Sequence, residues 1–201
     1  MNNDSITVSW DSLGAGLITV VETSQDSCVG DTATLNIQIN EIPTADSIVG
    51  DFEECRNGLG FSYTLNGFGG STYLWSVPGA SNIIDDSSNT IIADWDTAGT
   101  FLISVVEVSA AGCVGDTVDT TIIIFPHPQT VTMAGDTNIC PPNNLAQLYS
   151  VVGFDSSTYI WTVTGGVIDT GQGTSSILVN WDTVGTGVVT VVEVTKDSCW
   201  G

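Results

Sequence analysis

Apolar and polar residues alternate along most of this chain. In "GTFLISVVEVS" (99–109), "TATLNIQI" (32–39), "STYLWSV" (71–77) and "SSILVNW" (175–181), β-branched and aromatic side chains recur at every second position. That is the period at which a strand presents one face to a core. Each run is short and is bounded by Gly, Asp, Asn or Ser, the residues that supply turns. Nowhere do apolar residues recur at i, i+3, i+4 and i+7 for long enough to make a helix. Across the middle of the chain the pattern predicts strands over about 46–50, 61–66, 72–77, 82–85, 90–95, 101–109 and 116–125.

The pattern also repeats. Residues 6–30, "ITVSWDSLGAGLITVVETSQDSCVG", match residues 177–201, "ILVNWDTVGTGVVTVVEVTKDSCWG", at 14 of 25 positions. A third copy runs from Ile91 to Thr117. Trp10, Trp95 and Trp181 stand 85 and 86 residues apart, as do Cys28, Cys113 and Cys199. The other half of the unit recurs as well: Cys55 answers Cys140, Tyr63 answers Tyr149, and Tyr73-Leu74-Trp75 answers Tyr159-Ile160-Trp161. A period of about 85 residues is well above that of solenoid repeats, so each unit is expected to be a self-contained domain. The expected divisions are the C-terminal half of a repeat over 1–41, a complete repeat over 42–126, and a repeat lacking its last strand over 127–201. The chain is thus expected to be a stretch of a longer array. Pro43, Pro126 and Pro128 mark the junctions, where a fixed φ and a missing donor stiffen the linker and block strand continuation.

Seven short strands in a unit of this size, with turn signals at each end, predict an all-β protein of tandem immunoglobulin-like β-sandwiches. The apolar fraction of 42% is enough for real cores. Charge narrows the partners. Two basic residues, Arg56 and Lys196, face 23 acids for a net charge of −21. Such a surface repels phosphate backbones and anionic membranes, which argues against nucleic acid and against membrane binding. No apolar run approaches the ~20 residues of a membrane span. The expectation is a soluble, acidic, extracellular chain.

The order of motifs resembles the PKD-like repeats that stand in tandem in giant secreted cell-surface adhesins of gliding bacteria. It is carried by Cys140, "YSV" (149–151), "YIWTV" (159–163), Gly165-Gly166, "GQG" (171–173), "ILVNW" (177–181) and Cys199-Trp200-Gly201. The middle copy departs from it, with Pro78-Gly79 for the Gly pair and Asp85-Asp86-Ser87-Ser88 for the Gln-Gly turn. The resemblance implies a β-sandwich spacer or adhesive module, exported by a type IX pathway and displayed at the cell surface.

Trp75 and Trp161 sit mid-strand and are expected in the core, like the strand-C Trp of such sandwiches. Trp10, Trp95 and Trp181 end a strand and are expected to plug the end of the sandwich. Trp200 stands where the other copies have Val29 and Val114, and is free to be exposed. Five cysteines in an apparently exported chain read as disulfides. Two pairings respect the repeat. Within units, Cys55–Cys113 and Cys140–Cys199 leave Cys28 over; across junctions, Cys28–Cys55 and Cys113–Cys140 leave Cys199 over. The first staples each domain separately and is preferred. It meets one difficulty: alternation of five intervening strands puts the two cysteines of a unit at opposite ends of the sandwich.

Chemistry has little to stand on. The one histidine, His127, lies between Pro126 and Pro128 and reads as a linker residue, without a triad around it. Asp85-Asp86 and Asp94/Asp96 flank turns, where Asp has its own hydrogen-bonding reasons to be. No Asp-x-Asp-x-Asp-Gly loop exists, so no cofactor is expected and calcium is the weaker reading. The expected function is a non-enzymatic structural repeat, the shaft of a long extracellular filament or adhesin used for attachment, gliding or capture of other cells. Its expected partners are neighbouring repeats of the same chain and copies of itself, with a cell-surface protein or glycan engaged outside this segment. The alternative is an accessory carbohydrate- or protein-binding module of a secreted hydrolase.

Overall fold

The structure is a computed structural model that describes residues 4–84, 87–129 and 132–201. It is all-β. The first 41 residues contribute a hairpin, β1 (Gly14–Thr23) and β2 (Val29–Ile39), paired antiparallel. The middle stretch carries β3 (Ile48–Val49), β4 (Glu53–Cys55), β5 (Gly58–Leu65), β6 (Thr72–Ser76), β7 (Asn82–Ile84), β8 (Thr90–Trp95), β9 (Gly99–Val108) and β10 (Val114–Phe125). The last carries β11 (Gln147–Ser150), β12 (Thr158–Thr164), β13 (Val167–Thr170), β14 (Ser176–Asn180) and β15 (Val188–Val194).

The middle stretch closes into a two-sheet sandwich. One sheet runs β3-β5-β8-β7 and the other β4-β10-β9-β6. These orders are A-B-E-D and, from β6 back to β10, C-F-G, the arrangement of immunoglobulin-like domains. All seven expected strands are present. The pattern missed β4, a three-residue strand of two acids and a cysteine with no alternation to read; it pairs parallel to the end of β10. The core follows the period-two pattern. Ile91, Ala93 and Trp95 of β8 point inward against Ile103 and Val105 of β9, Ile122 and Ile124 of β10, and Tyr63 and Leu65 of β5. Each β-branched residue fits the pleat it occupies, and each fully buried aliphatic contributes about 1.5–3 kcal/mol of apolar transfer.

The last stretch repeats the plan with fewer strands. Its sheets are β11-β14-β13 and β12-β15, closed over Tyr149, Val151, Tyr159, Trp161, Ile177 and Val179. Where β10 flanks β9 in the middle sandwich, no strand flanks β15 on the side away from β12 among the described residues. A cavity of about 650 Å³ opens there, lined by Met133, Ile139, Tyr149, Trp181 and Val189 among others. Tyr149, Trp181 and Val189 are the counterparts of Tyr63, Trp95 and Ile103, which β10 covers with Ile122 and Ile124. The cavity therefore has the form of a strand's place in the sandwich.

Candidate functional site: the junction between two sandwiches

Three turns of identical construction punctuate the chain, each ending on a cysteine. Ser109 N–H donates to the Cys113 carbonyl at 2.9 Å, and Cys113 N–H donates back to Ser109 Oγ at 3.1 Å. Ser24 and Cys28 do the same at 2.8 and 3.1 Å, and Thr195 and Cys199 at 2.9 and 3.1 Å. A hydroxyl residue four before the cysteine closes the turn at both ends, the local side-chain capping that Ser and Thr favour. In 42–126 and 127–201 the second residue after the cysteine lies against the start of its own unit. A Cβ on Gly115 would meet the Pro43 carbonyl at 2.7 Å, and one on Gly201 would meet Pro128 Cβ at 3.1 Å. Pro43 and Pro128 are both buried. The late cysteine of a unit therefore marks its N-terminal end.

The early cysteine marks the opposite end. Cys55 is the Cα partner of Phe125, the last residue of β10, and Arg56 N–H donates to the Phe125 carbonyl at 2.9 Å. Cys55 is thus held where the chain leaves 42–126 for the Pro126-His127-Pro128 linker. Across that linker it is bonded to Cys199, 144 residues on, with Cα atoms 5.6 Å apart. The bridge staples the exit of one sandwich to the entry of the next.

This corrects the expected pairings. Cys113, Cys140 and Cys28 are unbonded, so neither Cys55–Cys113 nor Cys140–Cys199 forms, and neither does Cys28–Cys55 or Cys113–Cys140. For Cys55–Cys113, and by the repeat for Cys140–Cys199, the reason is length. Cys113 precedes β10 and Cys55 lies beside its last residue, 12 residues away. At about 3.3 Å per residue that is roughly 40 Å, against the 4.4–6.8 Å between the Cα atoms of a disulfide. The alternation of strands already contained this signal; what it did not contain was which cysteine of another unit comes within reach.

Both basic residues of the chain lie at this one junction. Arg56 follows Cys55, and Lys196 stands in the Cys199 turn with Nζ 6.0 Å from the Phe125 ring centroid and 2.9 Å from Asp197. Its counterparts in the other copies are Gln25 and Ala110, so the cation belongs to this junction alone. A cation over an aromatic face contributes about 0.5–1 kcal/mol at an exposed site. Here it also lowers the repulsion between two acidic units.

The remaining polar groups serve the sandwiches. Glu107 is buried, and its Oε1 accepts from the Phe68 N–H at 2.7 Å with Tyr73 Oη at 3.5 Å; Glu193 repeats this with Phe154 at 2.7 Å and Tyr159 at 3.4 Å. Burial, and then the neighbouring Glu, push the Tyr73 and Tyr159 phenols up. In each unit the turn passes so close that a Cβ on Gly67 or Gly153 would sit 2.5 Å from a carboxylate oxygen. The second oxygens, Glu107 Oε2 and Glu193 Oε2, are buried without a partner.

The tryptophans divide. Trp95 and Trp161 are buried, while Trp75 and Trp181 are half-buried. Trp95 donates Nε1–H to Tyr63 Oη at 3.2 Å and stacks on Phe101, centroids 5.2 Å apart; Trp181 donates to Tyr149 Oη at 3.1 Å. Trp75 and Trp161 donate to the carbonyls of Ser88 and Thr174. Trp10 is 42% exposed. It has only the β1–β2 hairpin to pack on, and its ring lies over Gly16. Trp200 is exposed.

Of the carboxylates considered for calcium, Asp85 and Asp86 lie outside the described residues. Asp94 Oδ1 accepts the Gly60 N–H at 2.7 Å and Oδ2 the Asn82 amide at 3.1 Å. Those bonds, Gly60's first, hold its carboxyl below the usual value. Asp96 accepts from Thr97, and among the described residues no group of three His, Cys, Asp or Glu side chains converges for a metal. His127 is half-buried in the linker.

A two-sheet sandwich of A-B-E-D and C-F-G order, followed in tandem by a second of the same plan with fewer strands, defines immunoglobulin-like modules. The chain belongs to the PKD-like domain family, which matches residues 41–122 and 126–199. No curated protein matches the chain. Among solved structures it is similar to the D00-D0 domain of intimin, with 14% identity and a TM-score of 0.38, over 72% of this chain and 90% of that one. It is similar to extracellular domains 3–5 of Drosophila OTK at 9% identity and a TM-score of 0.36, over 93% and 68%. The Yersinia pseudotuberculosis adhesin InvE gives 14% and 0.31, over 79% of this chain and 56% of that one.

Proposed function

We propose that this chain is a non-enzymatic shaft segment of a long extracellular filament or adhesin, exported by a type IX pathway, displayed at the cell surface, and used in attachment, gliding or capture of other cells. The observation that supports it most is the Cys55–Cys199 bridge. It ties the exit of one sandwich to the entry of the next beside a linker already stiffened by two prolines. A rod under tension needs that staple, whereas a catalytic domain and its tethered accessory module need freedom at the joint. A disulfide also suits an oxidising compartment, which supports an extracellular address. The partners of the segment are its neighbouring repeats and copies of itself, and the prey-binding group lies elsewhere in the protein. Calcium, nucleic acid and the bilayer have no part in it.

Small-angle scattering on the 201-residue chain tests this. The oxidised chain should scatter as an extended particle, and reduction should broaden its distance distribution as the 42–126/127–201 joint loosens. A compact particle, or tight binding on a glycan array, would sink the shaft and favour the accessory module of a secreted hydrolase.

A further inference from the structure

The bridge at the junction follows a register: the early cysteine of one repeat bonds the late cysteine of the next, 144 residues on. Applied to the three remaining cysteines, the same register points outside this sequence. A partner 144 residues before Cys113 or Cys28 lies upstream of Met1, and one 144 residues after Cys140 lies beyond Gly201.

Local construction agrees. The Cys113 turn has the hydrogen bonds of the Cys199 turn, and it rests on Pro43 as the Cys199 turn rests on Pro128. Cys113 is thus presented at the N-terminal end of its sandwich, half-buried and unbonded, as Cys199 is presented at the end of its own. Cys140 opens the counterpart of the Cys55 segment. Ala146 N–H donates to Asn180 Oδ1 at 2.7 Å where Gly60 N–H donates to Asp94 Oδ1 at 2.7 Å, so the two segments are fastened in the same way to corresponding strands, β14 and β8. Cys140 is exposed at that end.

We propose that Cys113 and Cys140 are the two halves of the same bridge, addressed to the PKD-like repeats that adjoin 42–126 on its N-terminal side and 127–201 on its C-terminal side. Each bridge forms when two thiols give up two protons and two electrons to a disulfide oxidant such as oxidised glutathione, which leaves as two molecules of the thiol. Every junction is then crossed twice, once by the backbone and once by sulfur. The inference rests on the array reading only in requiring that further repeats adjoin this one.

The repeat supplies its own test. Cys199-Trp200-Gly201 align with Cys28-Val29-Gly30, so joining Gly201 to Asp31 of a second copy continues the array in register. Cys113→Ser in the first copy and Cys140→Ser in the second leave one Cys140 and one Cys113, in different copies. After oxidation in a glutathione buffer and alkylation, non-reducing peptide mapping of the monomer should link first-copy Cys140 to second-copy Cys113. Cys55–Cys199 should be found in both copies, and Cys28 should be alkylated. Alkylation of both Cys113 and Cys140, a bridge from Cys140 to Cys28 or Cys55, or a Cys140–Cys113 link found only between molecules would overturn the proposal. The unfused chain gives a second measurement. Its Cys28, Cys113 and Cys140 should take up the alkylating agent and its Cys55 and Cys199 should not; a Cys55–Cys113 link there is equally fatal. Scattering on the same fusion separates the two readings, since the mapped bridge in a compact particle would keep this inference and remove the shaft.

Discussion

Tyr63 shows how a single buried phenol links the core to pH. Its side chain has no exposed surface and its oxygen accepts the Trp95 indole N–H at 3.2 Å. Burial pushes the phenol up to about 12. A raised value means the fold favours the protonated form, so this contribution to stability is full below pH ~10 and is lost as pH climbs through about 12. Urea denaturation at pH 8, 10 and 11.5 should show a flat segment followed by a fall. Tyr63→Phe should flatten that fall, at a cost of about 1–3 kcal/mol for a buried Trp95 donor left without an acceptor. Parallel profiles for the two proteins would place the alkaline transition elsewhere. Asp94 answers to acid in the opposite sense. Its lowered carboxyl contributes above the ordinary Asp range and loses that contribution as pH falls, while Asn180 makes the equivalent bond in 127–201 with no charge to titrate.

At the scale of the element, the cysteine turns carry an internal comparison. The residue before each cysteine has a left-handed backbone: φ is 65° at Ser27, 82° at Gly112 and 64° at Ser198. Only the middle copy uses the residue for which that region costs nothing. Ser198→Gly should therefore stabilise the 127–201 unit by about 0.5–1 kcal/mol, the gain being the relief of a strained conformation less the added freedom of the unfolded chain. Chemical denaturation of the variant under oxidising conditions measures it. No change, or a loss, would show that the strain is absent or is held by Thr195 Oγ1.

The bridge acts at the scale of the whole molecule. With 42–126 folded, Phe125 and Cys55 are pinned side by side, so Cys55–Cys199 closes the entire 127–199 stretch into a loop anchored at both ends. Chain entropy then puts the bridge at about 4 kcal/mol against unfolding of the 127–201 unit, and at a similar figure for 42–126, because with 127–201 folded Cys199 is held beside Pro128 and the bridge closes 55–128 into a loop of comparable length. Cys55→Ser should lower the denaturation midpoints of both units by comparable amounts; reporter tryptophans Trp161 and Trp95 distinguish the two transitions. A loss confined to one unit would show that the other gains nothing from loop closure.

Period and composition determined a great deal unaided. The strands of 42–126, the inward faces of β8, β9 and β10 and the recurrence of the unit all follow from side chains alternating at the spacing of a pleat, which is a local property. The family likeness was legible for the same reason. Even the obstacle to Cys55–Cys113 was present, because strand alternation fixes which end of a sandwich a residue occupies. Tertiary structure decided the rest. The strand β4 exists only because the end of β10 offers it a partner, so nothing in Glu53-Glu54-Cys55 could announce it. The partner of Cys199 was hidden for a similar reason. A disulfide depends on which two ends meet across a linker, and a spacing that repeats every 85 residues reads the same for a bridge within one unit and a bridge to the next.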